Sequence, residues 1–334
     1  MKNIIKKYPL ITFFVLAISF LWIIDIVTVG LLKQDDYTYV YIGAFGPALA
    51  AMLITSILNP GKVKPQKGKW LLVFIISLVI AGAVRWISRI WWNHDLSLSV
   101  LPGDALLVFI TAFVIAGAFS QTKGIRAIIS PLFNWRVSWK WYVFAIAFWP
   151  ILNITGNLVA SWLNVPVPAA HKLPDVPIYL AILVSFVWSC CFNGAQEEFG
   201  WRGFALPRLQ QRFSPLIATI ILGFFWGVFH WSGFFVGYRG ASPMQFIMRL
   251  GDIAIAIPFT WLYNRIGGKS LLPLFLLHAS VNATIDFIPR ANLTVYTLLG
   301  VAGIIMVFTD KMWKRLPENK NICENQQDSI CSSL

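Results

Sequence analysis

The chain has 334 residues, 57% hydrophobic and only 12% charged, with mean hydropathy +0.69 and 16 tryptophans. That balance excludes an ordinary water-soluble domain and indicates a polytopic membrane protein. The formal charge of +13 does not point to nucleic acid, because the basic residues sit in short breaks between apolar runs and not on one folded face.

The first apolar run follows "MKNIIKKYP". It has the basic flank of a signal peptide, but it is too long and lacks a small-x-small cleavage site, so it reads as a retained first span. A crossing helix needs about 20 mostly apolar residues, which predicts spans at 8–32, 37–59, 70–93, 102–119, 139–163, 178–198, 214–236, 245–264, 270–288 and 293–310. Lys and Arg provide an independent check, since they concentrate in cytoplasmic loops. With the N-terminus inside, Lys33, Lys172, Arg239 and Arg290 fall outside and Arg85, Arg89 and Arg249 fall within spans; the rest of the 27 lie inside. The expected fold is therefore an all-α polytopic transmembrane helical bundle of about ten spans, with both termini cytoplasmic. The tail 311–334, with "PENKNICENQQDSICSSL", is polar and expected to be disordered. Its final "CSSL" fits a prenylation box only loosely and reads as chance. Cys190, Cys191, Cys323 and Cys331 form no CxxC pair, so neither a disulfide framework nor a cysteine zinc site is expected.

An ionisable side chain at mid-bilayer costs on the order of 2.5–3.5 kcal/mol on insertion scales, so each needs a partner or a task. Arg85 and Arg89, one turn apart near the outer end of a span, read as snorkelling side chains. Asp25, Arg249 and Asp252 read as structural ion pairs between helices. "NGAQEEFGWRGF" is different. Glu198 and Arg202 are i and i+4, the favourable order for a carboxylate and a guanidinium. Glu197, about 100° round the helix, is left as the candidate general base. His278 and Asn282 in "LFLLHASVNATIDF" share one helical face, and His230 lies in the aromatic run "GFFWGVFHWSGFF". Three such features within one stretch of the chain predict a single polar cavity.

In that order, "EEFGWR", "WGVFH" and "HASVN" resemble the EExxxR, FxxxH and HxxxN/B motifs of the CAAX protease and bacteriocin-processing family of intramembrane endopeptidases, also called the ABI family. The resemblance covers roughly 139–290, and "GPALAAML" after Phe45 matches a second-span feature of bacterial members. Trp226 stands where the family has Phe, a change that leaves a packing role beside the site, and the spans within 60–138 look like an insertion. The organisation implied is 1–138 as N-terminal spans with a family-variable insertion, 139–310 as the catalytic core and 311–334 as the tail.

The resemblance implies peptide-bond hydrolysis in a membrane cavity of a peptide or membrane-associated protein. Glu197 would activate water, His230 would help to hold it, and His278 and Asn282 would stabilise the oxyanion, with Glu198 and Arg202 orienting them. If zinc is used, Glu197, His230 and His278 are its ligands. The chain has no HExxH, and Asn282 suits an oxyanion better than a metal, so a metal-free mechanism is favoured. Two other classes stay open: a non-enzymatic bacteriocin-immunity or scaffold protein, and a transporter with Asp25, Arg249 and Asp252 on its path. The expected setting is a bacterial cytoplasmic membrane, with the bilayer and a peptide or membrane protein as partners and no nucleic acid.

A simple span count puts Glu197 at the cytoplasmic end of its helix and His230 about 24 Å away along the next. The two meet only if 199–213 stays in the membrane region as a bent, half-buried amphipathic piece around Pro207.

Overall fold

A computed structural model describes residues 2–33, 38–93, 96–237 and 243–317. The expectations for the far tail, including "CSSL", Cys323 and Cys331, and the outer Arg239 lie outside these residues. Among the described residues the regular elements are helices, apart from one isolated bridge between Lys62 and Thr122. Nine helical stretches among the described residues are long and apolar enough to cross a membrane: α1 (Pro9–Leu31), α2 (Thr38–Leu58), α3 (Lys67–Trp92), α4 (Leu98–Phe119), α5 (Trp139–Trp162), α6 (Ile178–Gln210), α7 (Pro215–Phe235), α8 (Phe246–Arg265) and, after the ninth element, α10 (Asn292–Thr309). The ninth, α9 (Leu272–Phe287), is apolar but has 16 residues, about 24 Å against a hydrocarbon core of about 30 Å. Each predicted span thus has a helix, with α9 short of a full crossing and α6 much longer than foreseen.

Proline marks the first turn of α1, α7 and α9 at Pro9, Pro215 and Pro273, and Pro47 and Pro102 open the regular helical parts Gly46–Leu58 of α2 and Leu101–Ala116 of α4. There its missing N–H would have no intrahelical partner anyway. The outer faces are apolar, as on α3, where Leu71, Leu72, Ile75, Ile76, Val79 and Ile80 are all exposed. Polar side chains turn inward, the arrangement a lipid solvent favours. The helices pack in a chain of neighbours: α1 with α2, α3 with α4, α7 with α8, and α9 between α5 and α6. Where α6 crosses α2 the backbones nearly touch. A Cβ on Gly200 would lie 2.5 Å from both Cβ and the carbonyl oxygen of Pro47, so only glycine permits this crossing. The "GPALAAML" segment is thereby locked against the helix bearing the two acids.

Two expectations change here. Arg85 and Arg89 do not snorkel; both are buried. Arg85 Nε donates to Asp104 at 2.5 Å and Arg89 Nη2 donates to the same carboxylate at 2.9 Å, while Thr38 Oγ1 takes N–H groups from both arginines. Asp104 makes burial the better solution, because a charge-assisted pair satisfies the guanidinium planes inside the bundle. The segment after Glu198 stays in the bundle, as required for Glu197 and His230 to meet, yet through Gln210 it is fully buried and not half-buried, and only 211–213 reach the surface. Residues 198–210 run on as helix, with a wider π turn over Trp201–Ala205, and every one of them is buried. Two of its arginines find internal partners: Arg202 pairs with Glu198, and Arg208 donates to the Phe204 carbonyl at 2.9 Å and lies over the Phe204 ring. Arg202 and Arg208 accordingly leave the loop census that set the topology.

Candidate active site

The site begins where α6 breaks. Its first segment ends at Cys191, the chain turns through Phe192–Gly194, and helix resumes at Ala195. Gly194 has φ of +99°, a conformation that favours glycine. Space demands glycine as well: a Cβ there would lie 2.2 Å from His278 Nε2 and 2.8 Å from Asn282 Nδ2. The turn therefore brings the α6 backbone directly against the two polar residues of α9. Asn282 Nδ2 completes the junction by donating to the Asn193 carbonyl at 2.5 Å.

Glu197 and Glu198 open the resumed helix and point to different partners. Arg202 Nη1 donates to both oxygens of Glu198, at 2.8 and 3.1 Å, and all of these atoms are buried. The guanidinium lies over Phe259 at 4.3 Å and Trp226 at 4.8 Å. Its Nε and Nη2 have no hydrogen-bond acceptor among the described residues, so the aromatic faces carry that side of the charge. Glu198 Oε1 also meets His278 Nδ1 at 2.7 Å. Beside a carboxylate that nitrogen carries the proton, which leaves Nε2, the atom facing Gly194, as an acceptor in neutral imidazole and a donor in imidazolium.

Glu197 is held by indoles. Trp201 Nε1 and Trp226 Nε1 both donate to its Oε2, at 2.8 and 3.0 Å. Trp201 is fixed by the aromatic rings of Phe13, Phe14 and Phe229. From α1, Trp22 Nε1 donates to the Val228 and Phe229 carbonyls at 3.2 Å, which anchors the part of α7 just before His230. Glu197 and half-buried His230 line one cavity of about 190 Å³ together with Asp25, Tyr41 and Asn193. Ser232 Oγ donates to Asp25 at 2.6 Å on its wall.

The structure thus brings Glu197 and His230 to one cavity, and Glu198, Arg202 and His278 to one network beside it. Direct contact of His278 is with Glu198, not Glu197. Trp226 packs edge-on against Phe259 and His278, and it is also a donor to Glu197, which the family's Phe is unable to be. Arg249 forms an ion pair with Asp252 at 2.7 Å, three residues along the same stretch. Sequence reasoning missed Gly194, Asn193 and Trp201, and it read Asp25 as part of an ion pair and not as a wall of the cavity. Trp201 was within reach as the i+4 neighbour of Glu197. Asp25 and Asn193 belong to the cavity only through tertiary packing.

Among the described residues no three His, Cys, Asp or Glu side chains are placed to share a metal ion. His278 Nδ1 is engaged by Glu198, and Glu197 Oε2 by two indole N–H groups that a cation would displace.

Residues 179–284 match the family model described as type II CAAX prenyl endopeptidase Rce1-like. Over 130 residues the chain is 28% identical to CAAX prenyl protease 2 of Methanococcus maripaludis. That match covers 35% of this chain and 47% of the relative, so the chain spans about half the length of the curated relative it matches.

Proposed function

We propose that this integral membrane chain, whose segment 179–284 matches the CAAX endopeptidase family model, is an intramembrane endopeptidase cleaving a peptide or membrane-associated protein by glutamate-activated water. The observation that carries this reading is the Glu197 carboxylate. One oxygen is clamped by two indole N–H groups, and the side chain lines a cavity shared with His230. A base held in one orientation beside a space for water is what amide hydrolysis needs first.

In this reading a water between Glu197 and His230 gives its proton to Glu197 as its oxygen attacks the peptide carbonyl carbon. The carbonyl oxygen, now an oxyanion, is met by an N–H of Asn282 and by His278 Nε2–H. The C–N bond then breaks, and the proton held by Glu197 passes to the departing amine. Arg202 holds Glu198, and Glu198 holds the His278 ring in place. The buried Arg202–Glu198–His278 chain supports this division of labour, since a Glu198 committed to Arg202 and His278 leaves Glu197 as the acid facing the cavity. A bacterial cytoplasmic membrane is the setting we assign.

The test is Glu197→Gln in the full-length protein, with the membrane and secreted peptidomes compared with wild type at equal membrane abundance. Cleavage products should disappear. Products persisting at wild-type levels would refute the assignment of the base.

A further inference from the structure

Beside the cavity of Glu197 and His230 lies a larger one of about 400 Å³. Tyr41 and Asn193 line both, so a peptide held at Glu197 has an adjoining chamber for the residues next to its scissile bond. Asn193 is the junction, since its carbonyl also takes the Asn282 amide.

The chamber's polar wall is assembled from two distant parts of the chain. Arg85 on α3 lines it, anchored to Asp104 and Thr38 and stacked over the Trp188 indole at 5.2 Å. It belongs to the segment 60–138, which the family resemblance leaves without a task. The connection between α5 and α6 adds His171 and Lys172, both exposed. One acid lines the same space, Asp286, whose carboxylate takes the Ser185 hydroxyl at 2.6 Å. Lys172 makes no ion pair among the described residues, so its ammonium borders a chamber that the anchored Arg85 guanidinium and the Trp188 indole also line. Such a combination attracts an anion attached to an apolar chain.

We propose that this chamber is a substrate subsite for a carboxylate carried by the peptide within a few residues of the scissile bond, with Lys172 as its exposed ligand and Arg85 as its anchored positive wall. The proposal rests on the neighbouring cavity being the active site, and it assigns the α3–α4 pair to substrate selection.

The test uses full-length protein in detergent carrying Glu197→Gln, so that bound peptide is not consumed. The probes are fluorescent apolar peptides identical except for one Glu, Gln or Lys, each made with a free or an amidated C-terminus, and binding is read by anisotropy. A carboxylate should tighten binding about fivefold over its neutral counterpart, the upper end for an exposed ion pair. The free and amidated series distinguish a terminal from a side-chain carboxylate. Lys172→Glu, a change on an exposed connection, should abolish the preference and favour the Lys peptide. Equal or absent binding of all the peptides would overturn the proposal, as would a carboxylate preference that survives both Lys172→Glu and Arg85→Gln. Vesicles rich in phosphatidylglycerol are the second arm: if they block the chamber where phosphatidylcholine does not, while the peptides show no preference, the anion is a lipid headgroup and the proposal fails. A carboxylate preference without cleavage by wild type would instead remove the protease reading and leave the subsite standing.

Discussion

Replacing Gly194 by alanine should disable the site more than it destabilises the fold. Two costs follow from the structure. The backbone at φ +99° is strained for any L side chain, by about 1–3 kcal/mol. Separately, the new methyl would sit 2.2 Å from His278 Nε2, where real Cβ contacts essentially never fall below 3.0 Å. The imidazole or the turn must therefore retreat by the better part of an ångström, and Asn282, 2.8 Å from the same methyl, must follow. Misplacement by about 1 Å costs about a hundredfold in rate. The assay is cleavage of a reporter peptide by purified protein, paired with thermal unfolding in detergent. Gly267→Ala supplies the control: its φ is +63°, yet an added Cβ meets only Lys269 Cε at 3.8 Å. The control should lose stability and keep turnover, while Gly194→Ala loses about two orders of magnitude in kcat. Wild-type turnover by folded Gly194→Ala protein would refute the placement of His278 and Asn282 at the reacting centre.

Other outcomes are equally direct. Trp226→Phe restores the family's residue and keeps the aromatic packing, but it removes one of the two donors to Glu197; a hydrogen bond to a charged group is worth about 1.5–3 kcal/mol, so kcat should fall at least about tenfold with the fold intact. Unchanged kcat would show that Trp201 alone positions the base. Arg202→Ala leaves Glu198 buried without its cation and should cost about 3–5 kcal/mol, seen as loss of the protein from membranes. Lysine should not rescue it, because a point charge does not reproduce a plane lying over Phe259 and Trp226. Treatment with a strong chelator should leave cleavage unchanged; activity lost to chelator and restored by stoichiometric zinc would overturn the metal-free mechanism.

What was legible in the sequence follows from what is local. Long apolar runs announce helices because lipid leaves the backbone no other way to satisfy itself, so every predicted span has its helix. The pairing of Glu198 with Arg202 is likewise a one-turn relation. The position of Arg85 and Arg89 was not legible, because Asp104 reaches them from a different helix and nothing in the apolar run around them announces it. The same holds for Asp25, whose partner Ser232 lies 207 positions away. Trp226 was read by its bulk, since its role as a donor exists only once α6 places Glu197 Oε2 in front of the indole. The α6 break falls between these cases: the Asn-Gly pair at 193–194 is a turn signal, but an uninterrupted apolar stretch before it masks the signal.

The contact of Gly200 with Pro47 decides how the gene can be divided. A fragment starting near residue 139 would carry every motif residue, yet it would lack the helix that Gly200 rests on, the indole that braces the turn before His230, and the Asp25 and Tyr41 walls of the cavity. Expressed alone, that fragment is half of a hinge without its plate. Supplied in the same membrane with residues 1–138 as a separate polypeptide, it should regain activity only as the two halves reassemble, and a bulkier residue at position 200 should prevent the reunion.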